Sequence, residues 1–350
     1  MSNFHLLKIH KITRETDKAV VINFEIPEPL KDNFKFIPGQ YVTLKTEIDG
    51  EEVRRAYSIC STPMESNLSV AVKEVENGRF STYVNRTLKE GDSLEVHPPE
   101  GTFLLETKEL NENWYVAFAA GSGITPIMSM IGSVLKNEPQ SAFVLVYGNR
   151  TLNETIFSKK LLSLVQNYPN RLHIQFFYSR KQEENAKFGR IEKSTINYVI
   201  KNKFKNVDFA AYYLCGPEAM IQTCKEVLSE NGTDPNKIHS ELFTSSSEPV
   251  SLDTDLDGKT TVTVLVDDEE FNFVMPQDKT ILDAALDEDI DAPYSCQGGV
   301  CSSCVCRITE GKAVMEKNSI LTDGEIEEGL VLACQAHPTT SIIKVDFDDV

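Results

Sequence analysis

The stretch PYSCQGGVCSSCVC, residues 293–306, holds four of the eight cysteines in a chain of 350 residues. Thiolate sulfur is a soft donor that suits zinc and iron–sulfur centres. Disulfides do not persist in a reducing cytosol, so a cluster of this kind reads as metal-binding or catalytic. The remaining cysteines are Cys60, Cys215, Cys224 and Cys334. The question is which four sulfurs form one site and what they hold.

Four residues separate Cys296 from Cys301 and two separate Cys301 from Cys304, with Cys334 after another 29. That spacing is the pattern C-x4-C-x2-C…C of a 2Fe–2S cluster. A loop around so anionic a unit must bring backbone N–H groups close and keep side chains away. Gly298, Gly299, Ser302 and Ser303 meet that demand. Cys306 competes with Cys334 for the fourth place. In CVCRI it falls on the strand leaving the loop, sharing a face with Ile308, where a cysteine serves as a small buried apolar group. Cys334, in VLACQAHP, ends an apolar run before a turn and can reach back. Cys296, Cys301, Cys304 and Cys334 are therefore the expected metal ligands. Structural zinc more often uses two close cysteine pairs, whereas here three candidates share one loop and the fourth stands alone.

A cluster of this type takes electrons one at a time, while nicotinamide cofactors deliver two as hydride. A flavin is the usual splitter between them. The upstream residues should therefore carry a nicotinamide site and a flavin site. GSGITP, Gly121 to Pro126, follows the apolar run WYVAFAA and opens a helical pattern. Gly121 and Gly123 allow a tight turn and close approach of a pyrophosphate to a helix N-terminus. Pro126 stands where the third glycine of G-x-G-x-x-G would be, a position a helix's first turn tolerates. LCGP, with Cys215, Gly216 and Pro217, closes another strand before another helix. RAYS, Arg55 to Ser58, offers a cation, a ring and a hydroxyl on a strand-like segment.

The elements that must position these groups fall into three blocks. Up to residue 106, the runs AVVINFEI, QYVTLKTEI, RRAYSIC, LSVAVKEV and DSLEVHPP predict a small antiparallel β-barrel with one helical insert, GRFSTYVNRTL. Across 107–243, strand and helix patterns alternate, which predicts a doubly wound parallel α/β domain. TSSSEPVSLDTDLDGKT, residues 244–260, is expected to be a flexible linker with a root-mean-square span of roughly 20–25 Å. Residues 261–350 form a compact third domain of hairpin, helix and cysteine loop. Residues 246–350 carry 23 Asp and Glu against 6 Lys and Arg, a net of −17, which leaves −1 for the rest of a chain whose formal charge is −18. That field disfavours nucleic acid and anionic membranes and steers basic protein surfaces. No apolar run approaches the ~18–20 residues of a membrane span, and no secretory signal opens the chain. A cytoplasmic protein with no stable membrane association is expected.

CQGGVCSSC with LACQAHP resembles plant-type ferredoxins, which implies a β-grasp fold for residues 261–350. RAYS, GSGITP and CGP, in that order, resemble the ferredoxin–NADP+ reductase superfamily over residues 1–245. Reductase first and ferredoxin last resembles the reductase components of non-haem-iron oxygenases. Within these, YGNR, GRFS and HSELF resemble the branch that serves phenylacetyl-CoA epoxidases in phenylacetate degradation. The resemblance implies FAD, NADPH and a 2Fe–2S cluster as cofactors and a non-haem di-iron oxygenase component as partner. It gives Arg55 to the flavin phosphate, Tyr57 to the isoalloxazine and Ser58 to its reactive nitrogen, with Gly78, Arg79, Phe80 and Ser81 capping the pyrophosphate. Thr125 and Cys215 would flank the nicotinamide, and Glu241 and Phe243 would close the flavin's other side. Ser58, Cys215 and Glu241 are thus the expected catalytic residues. Ser179 and Arg180 match a 2′-phosphate pair, a role suited to a guanidinium. The alternatives are a reductase for another hydroxylase or desaturase, and a non-catalytic redox or zinc sensor.

Overall fold

The computed structural model describes residues 4–243 and 258–350. They form two compact units, one of Phe4–Val53 and Tyr57–Phe243, the other centred on residues 258–350. Residues 244–257 of the expected linker lie outside the described residues. Its last three residues do not: after Gly258, Lys259 and Thr260 open a strand, and the Thr260 hydroxyl donates to the Thr340 carbonyl at 2.6 Å.

The larger unit begins with β1 (His5–Thr16), β2 (Ala19–Glu25), β3 (Tyr41–Ile48), β4 (Glu51–Ser58), β5 (Leu68–Lys73), α1 (Arg79–Arg86) and β6 (Ser93–Val96). The strands form one six-stranded sheet in the order β4-β3-β6-β1-β2-β5. An antiparallel bridge from Ile59, just past β4, to Val70 of β5 links the two ends of that order. This is the antiparallel barrel that the alternating apolar pattern predicts. Leu7, Ile22, Phe24, Leu44, Val70, Phe80 and Leu94 fill its interior. β1 escapes the sequence reading because only Leu7 and Ile9 of its twelve residues are buried, so the alternation fades after the first few positions.

Next come β7 (Trp114–Ala120), α2 (Ile124–Asn137), β8 (Ala142–Asn149), α3 (Ser158–Asn167), β9 (Leu172–Tyr178), β10 (Lys187–Phe188), α4 (Lys193–Asn197), β11 (Phe209–Cys215), α5 (Glu218–Glu230) and β12 (Ile238–Glu241). The sheet order is β10-β9-β8-β7-β11-β12, parallel throughout. Its strands read as nearly unbroken apolar runs because helices cover both faces, and two separate clusters of buried side chains lie on them. All strand ends therefore point one way. Ala120 pairs with Gly148, Asn149 with Tyr178, and Cys215 with both Ala119 and Glu241, so the loops after β7, β8, β9, β11 and β12 share one edge.

The smaller unit holds β13 (Lys259–Val266), β14 (Glu269–Pro276), α6 (Ile281–Asp287), β15 (Val305–Glu310), β16 (Ala313–Met315), α7 (Asp323–Glu327), β17 (Leu330–Leu332), β18 (Ala336–Pro338) and β19 (Ile342–Asp346). Five of these strands form the mixed sheet β14-β13-β19-β15-β17, with α6 packed on its apolar side. Thr280 caps α6 by accepting from the Asp283 N–H at 3.1 Å. Cys304 precedes β15, and Cys334 sits in the turn between β17 and β18.

Candidate active site and iron–sulfur centre

The cysteine loop and the turn between β17 and β18 bring the sulfurs together within the smaller unit. Cys296 exchanges thiol hydrogen bonds with Cys301 and Cys334, and Cys334 also contacts Cys304. The expected fourth ligand is therefore next to the other three. Hydrogen bonds from the neighbouring thiols hold Cys296 well below its ordinary range, and the same contacts push Cys301 and Cys334 up. Cys306 stays out of this group: it is fully buried in the apolar core, which pushes its thiol well up. Among the described residues, no three His, Cys, Asp or Glu side chains are set to hold a single ion.

Other features of the loop fit a 2Fe–2S cluster. The Gly298 N–H points at Cys296 Sγ at 3.4 Å, and the backbone of Val300 and Ser303 donates to Cys296 and Cys301. Gly299 has φ +70°, and a Cβ there would stand 3.0 Å from the Lys317 carbonyl, so glycine is required. At Gly298 a Cβ would meet only the Cys296 carbonyl at 3.8 Å, which leaves room beside the thiols. The Ser295 hydroxyl is buried with no partner among the described residues. A buried hydroxyl normally finds an acceptor, and a cluster sulfur would be one.

In the larger unit, Ser58, Cys215 and Glu241 come together from three separate strands. Cys215 and Glu241 are register partners on β11 and β12, and the Ser58 hydroxyl donates to Glu241 Oε2 at 3.4 Å. Burial pushes the Glu241 carboxyl up to about 8, with the Ser58 hydrogen bond pulling the other way. Burial, and then the Glu241 charge, push the Cys215 thiol well above its ordinary range. Near neutral pH, Cys215 is a neutral thiol and Glu241 is poised to hold or release a proton. Phe243 packs against the α/β core.

The flavin residues divide by accessibility. Arg55 is exposed on β4, and Tyr57 is half-buried with its ring 5.8 Å from that of Phe80. Gly78 is the N-cap of α1, whose first turn has no side-chain cap, and open N–H groups of this kind suit a pyrophosphate. Two of these residues also serve the barrel itself. Phe80 is only 2% exposed, with its ring in the barrel core. The Arg79 guanidinium pairs with the Glu51 carboxylate and donates to the Ile48 carbonyl at 2.7 Å, so it is already engaged. Ser81 accepts from the Val75 N–H at 3.2 Å and shapes the turn before α1.

The glycine loop also serves the fold. Gly121 has φ +56° and leads into the uncapped start of α2, as a phosphate-binding turn should. Gly123 has another reason to be glycine: a Cβ there would fall 2.1 Å from the Cys215 carbonyl. Its missing side chain makes room for the end of β11. Thr125, 2% exposed, donates its hydroxyl to the Ser122 carbonyl at 3.0 Å, and Pro126 is buried beside it. Gly216 meets Ala120 N at 3.1 Å by the same measure, and Pro217 caps α5.

Of the cations at this edge, the sequence reading assigns a role only to Arg180. Lys73, on β5, brings its Nζ within 4.0 Å of the Gly121 Cβ position. Burial lowers its pKa; the Glu154 carboxylate opposes that shift and the Arg150 and Lys18 charges add to it. Arg150 and Arg180 are exposed just past β8 and β9, joined through backbone by Arg180 N–H to the Arg150 carbonyl at 2.9 Å. β10 places Lys187 and the 63%-exposed Phe188 beside Phe177 and Tyr178. Arg150 closes the YGNR stretch and Arg180 belongs to the expected 2′-phosphate pair, whereas Lys73 and Lys187 have no motif and only the fold marks them. α2 docks on the barrel loop that follows β4: Ser129 donates to the Ser61 carbonyl at 2.6 Å, and a Cβ at Gly132 would lie 2.6 Å from Thr62 Cγ2.

Comparison with known proteins agrees with this layout. Three family models match in chain order: an oxidoreductase FAD-binding domain over residues 4–104, an oxidoreductase NAD-binding domain over 118–226, and a 2Fe-2S iron-sulfur cluster binding domain over 264–339. One of the subunits of 1,2-phenylacetyl-CoA epoxidase from Escherichia coli (strain K12) is 40% identical, across 99% of this chain and 99% of that one. The ferredoxin reductase component of 3-ketosteroid-9-alpha-monooxygenase from Rhodococcus rhodochrous is 33% identical, across 98% of this chain and 96% of its own. The crystallised phthalate dioxygenase reductase shares the fold, with a TM-score of 0.63 at 23% identity over 98% of both chains.

These domains make the chain an NAD(P)H-dependent oxidoreductase with a flavin and an iron–sulfur cluster. It belongs to the family of reductase components that pass electrons from a nicotinamide cofactor through FAD and a 2Fe–2S cluster to an oxygenase. Among the described residues, no helix is long and apolar enough to cross a membrane.

Proposed function

We propose that this reductase uses NADPH and serves a non-haem di-iron oxygenase, the phenylacetyl-CoA epoxidase of phenylacetate degradation. The observation that carries the reading is the 40% identity to a component of such an epoxidase along 99% of both chains. NADPH is favoured over NADH by Ser179 and Arg180, with Arg150 and Lys187 close by in the fold. Guanidinium groups bind phosphate in a planar, two-pronged way, and no carboxylate replaces them to claim a ribose 2′-hydroxyl.

Bound FAD supplies the step from hydride to single electrons. The chain's own residues position and protect. Arg55 and the start of α1 bind the flavin phosphates, and Tyr57 lies along the ring. Gly121, Thr125, Pro126, Gly216 and Pro217 shape the nicotinamide pocket at the shared strand edge, while Phe243 shields it. Cys215, as a neutral thiol, packs on the nicotinamide without adding charge. Ser58 and Glu241 hold a proton next to the reacting ring, where a carboxyl titrating near neutrality can both give and take. Cys296, Cys301, Cys304 and Cys334 hold the cluster, and the net negative charge of residues 246–350 steers it to a basic face of the oxygenase.

Anaerobic titration with NADPH and NADH, followed by reconstitution with the purified oxygenase component of phenylacetyl-CoA epoxidase, tests the proposal. The expected result is preferential oxidation of NADPH coupled to epoxide formation. Turnover with a 3-ketosteroid monooxygenase oxygenase but not with the epoxidase would overturn the assignment of partner.

A further inference from the structure

Gln335 follows the ligand Cys334, and its side chain is only 7% exposed. A polar side chain this deep needs partners, and all that Gln335 has lie around the cluster loop. Its Nε2 donates to the Cys334 carbonyl at 2.7 Å and to the Gln297 carbonyl at 3.3 Å, and stands 3.6 Å from Cys334 Sγ. Both carbonyls can only accept, so they fix which end of the amide is nitrogen. Its two N–H bonds serve three acceptors: one goes to the Gln297 carbonyl, and the other is shared between the carbonyl and the sulfur of Cys334.

The stem of Gln335 is held as firmly as its head. Its N–H donates to the Leu332 carbonyl at 2.8 Å, and its carbonyl accepts from the Glu316 N–H at 3.0 Å. Its Cγ lies 3.1 Å from where a Gly299 side chain would start, so the left-handed turn of the loop passes directly over it. Gln297, which Gln335 grips by the carbonyl, is itself in the left-handed region at φ +53°. The other donors around the sulfurs are backbone N–H groups, which substitution does not remove, and small hydroxyls such as that of Ser303, 3.8 Å from Cys301 Sγ. Gln335 is a side-chain donor, so changing one residue changes the charge environment of the sulfur.

We propose that Gln335 is a positioning residue with two tasks: it straps the loop at Gln297 and donates a hydrogen bond to the Cys334 sulfur that raises the cluster's reduction potential. The proposal rests on the four-cysteine cluster, not on the identity of the acceptor. Each reduction adds one electron, supplied by the bound flavin, and so one negative charge to the cluster and its thiolates. A donor aimed at a ligand sulfur stabilises that added charge more than it stabilises the oxidised state.

The test is potentiometry of the full-length holoprotein with redox mediators and dithionite, monitored by the paramagnetic signal of the reduced cluster. Neither NADPH nor an oxygenase is involved, so a wrong partner assignment leaves the result intact. Gln335→Met, which keeps the length and removes the amide, is expected to retain two irons per chain. It should shift the reduction equilibrium about tenfold towards the oxidised state, about 59 mV for one electron, and alter the g-values. An unchanged midpoint and unchanged signal at full iron content would overturn the proposal. If Gln335→Met loses iron, Gln335→Glu, which puts an acceptor where the donor was, is read the same way. A lower midpoint supports the proposal and an unchanged one defeats it. Loss of iron from both variants in a folded protein would overturn the donor task and leave Gln335 a scaffold residue.

Discussion

The cluster loop and the nicotinamide edge each place reactive groups within a few ångströms of one another, but they are held in opposite ways. The loop takes three of its cysteines from residues 296–304, and its backbone N–H groups come from the same run. The edge takes Ser58, Cys215 and Glu241 from three strands in two sheets, and its geometry is only as good as the packing between those sheets. A local site should therefore fail abruptly when one ligand is removed. A distributed one should lose rate by degrees while its cofactors stay bound.

The sharpest way to break this contrast is Cys334→Ser. We expect it to cost most of the iron and the paramagnetic signal of the reduced protein, while flavin content and NADPH-driven reduction of ferricyanide persist. Full iron and signal would mean that the fourth ligand lies elsewhere. Next in size, Glu241→Gln should slow flavin reduction by roughly 10²-fold in stopped-flow experiments, within the range of general acid–base contributions, with iron content untouched. An unchanged rate would remove Glu241 from the chemistry. Arg180→Ala should raise KM for NADPH roughly tenfold and leave NADH unaffected, as loss of a charge-assisted phosphate contact predicts. Equal effects on both cofactors would count against a 2′-phosphate role. Ser129→Ala removes one hydrogen bond between α2 and the barrel loop. It should cost about 1 kcal/mol of stability and a few-fold in flavin reduction, with no change in cluster potential.

A separate effect is one of pH. The Glu241 carboxyl, raised by burial to about 8 in the fold from 4.5, binds its proton more tightly folded than unfolded. Its contribution to the stability of the flavin-free protein is thus complete below about pH 4.5 and is lost as pH rises through 8. Glu241→Gln should flatten that decline in thermal melts. If both proteins decline alike between pH 5 and 8, the burial argument is wrong.

The same contrast explains what the sequence reveals. The ligand spacing is readable because an iron–sulfur loop is a local object, and the strand–helix alternation is readable because buried parallel strands are apolar throughout. Cys334 needs only the further step of seeing a turn after an apolar run. The edge is readable only in outline. Lys73 sits in an ordinary barrel strand, and nothing around it announces that it reaches Gly121. Phe80 belongs to a recognisable stretch, yet its ring is core, because the inward side of α1 must fill the barrel end. β12 is four residues long, too short for periodicity to register, and it still carries Glu241 to its place. Gln335 escapes because its neighbours are set by how the turn after β17 meets the loop, which no spacing rule encodes.

The carbonyl of Cys215 lying where a side chain of residue 123 would begin has a practical meaning for anyone wishing to retrain this enzyme for a different coenzyme. Libraries that randomise Gly123 will mostly yield misassembled protein, since even alanine there forces the start of α2 away from the end of β11. The exposed rim after β8, β9 and β10 has no such obstruction, and diversity introduced there can alter coenzyme choice while leaving the sheet beneath it undisturbed.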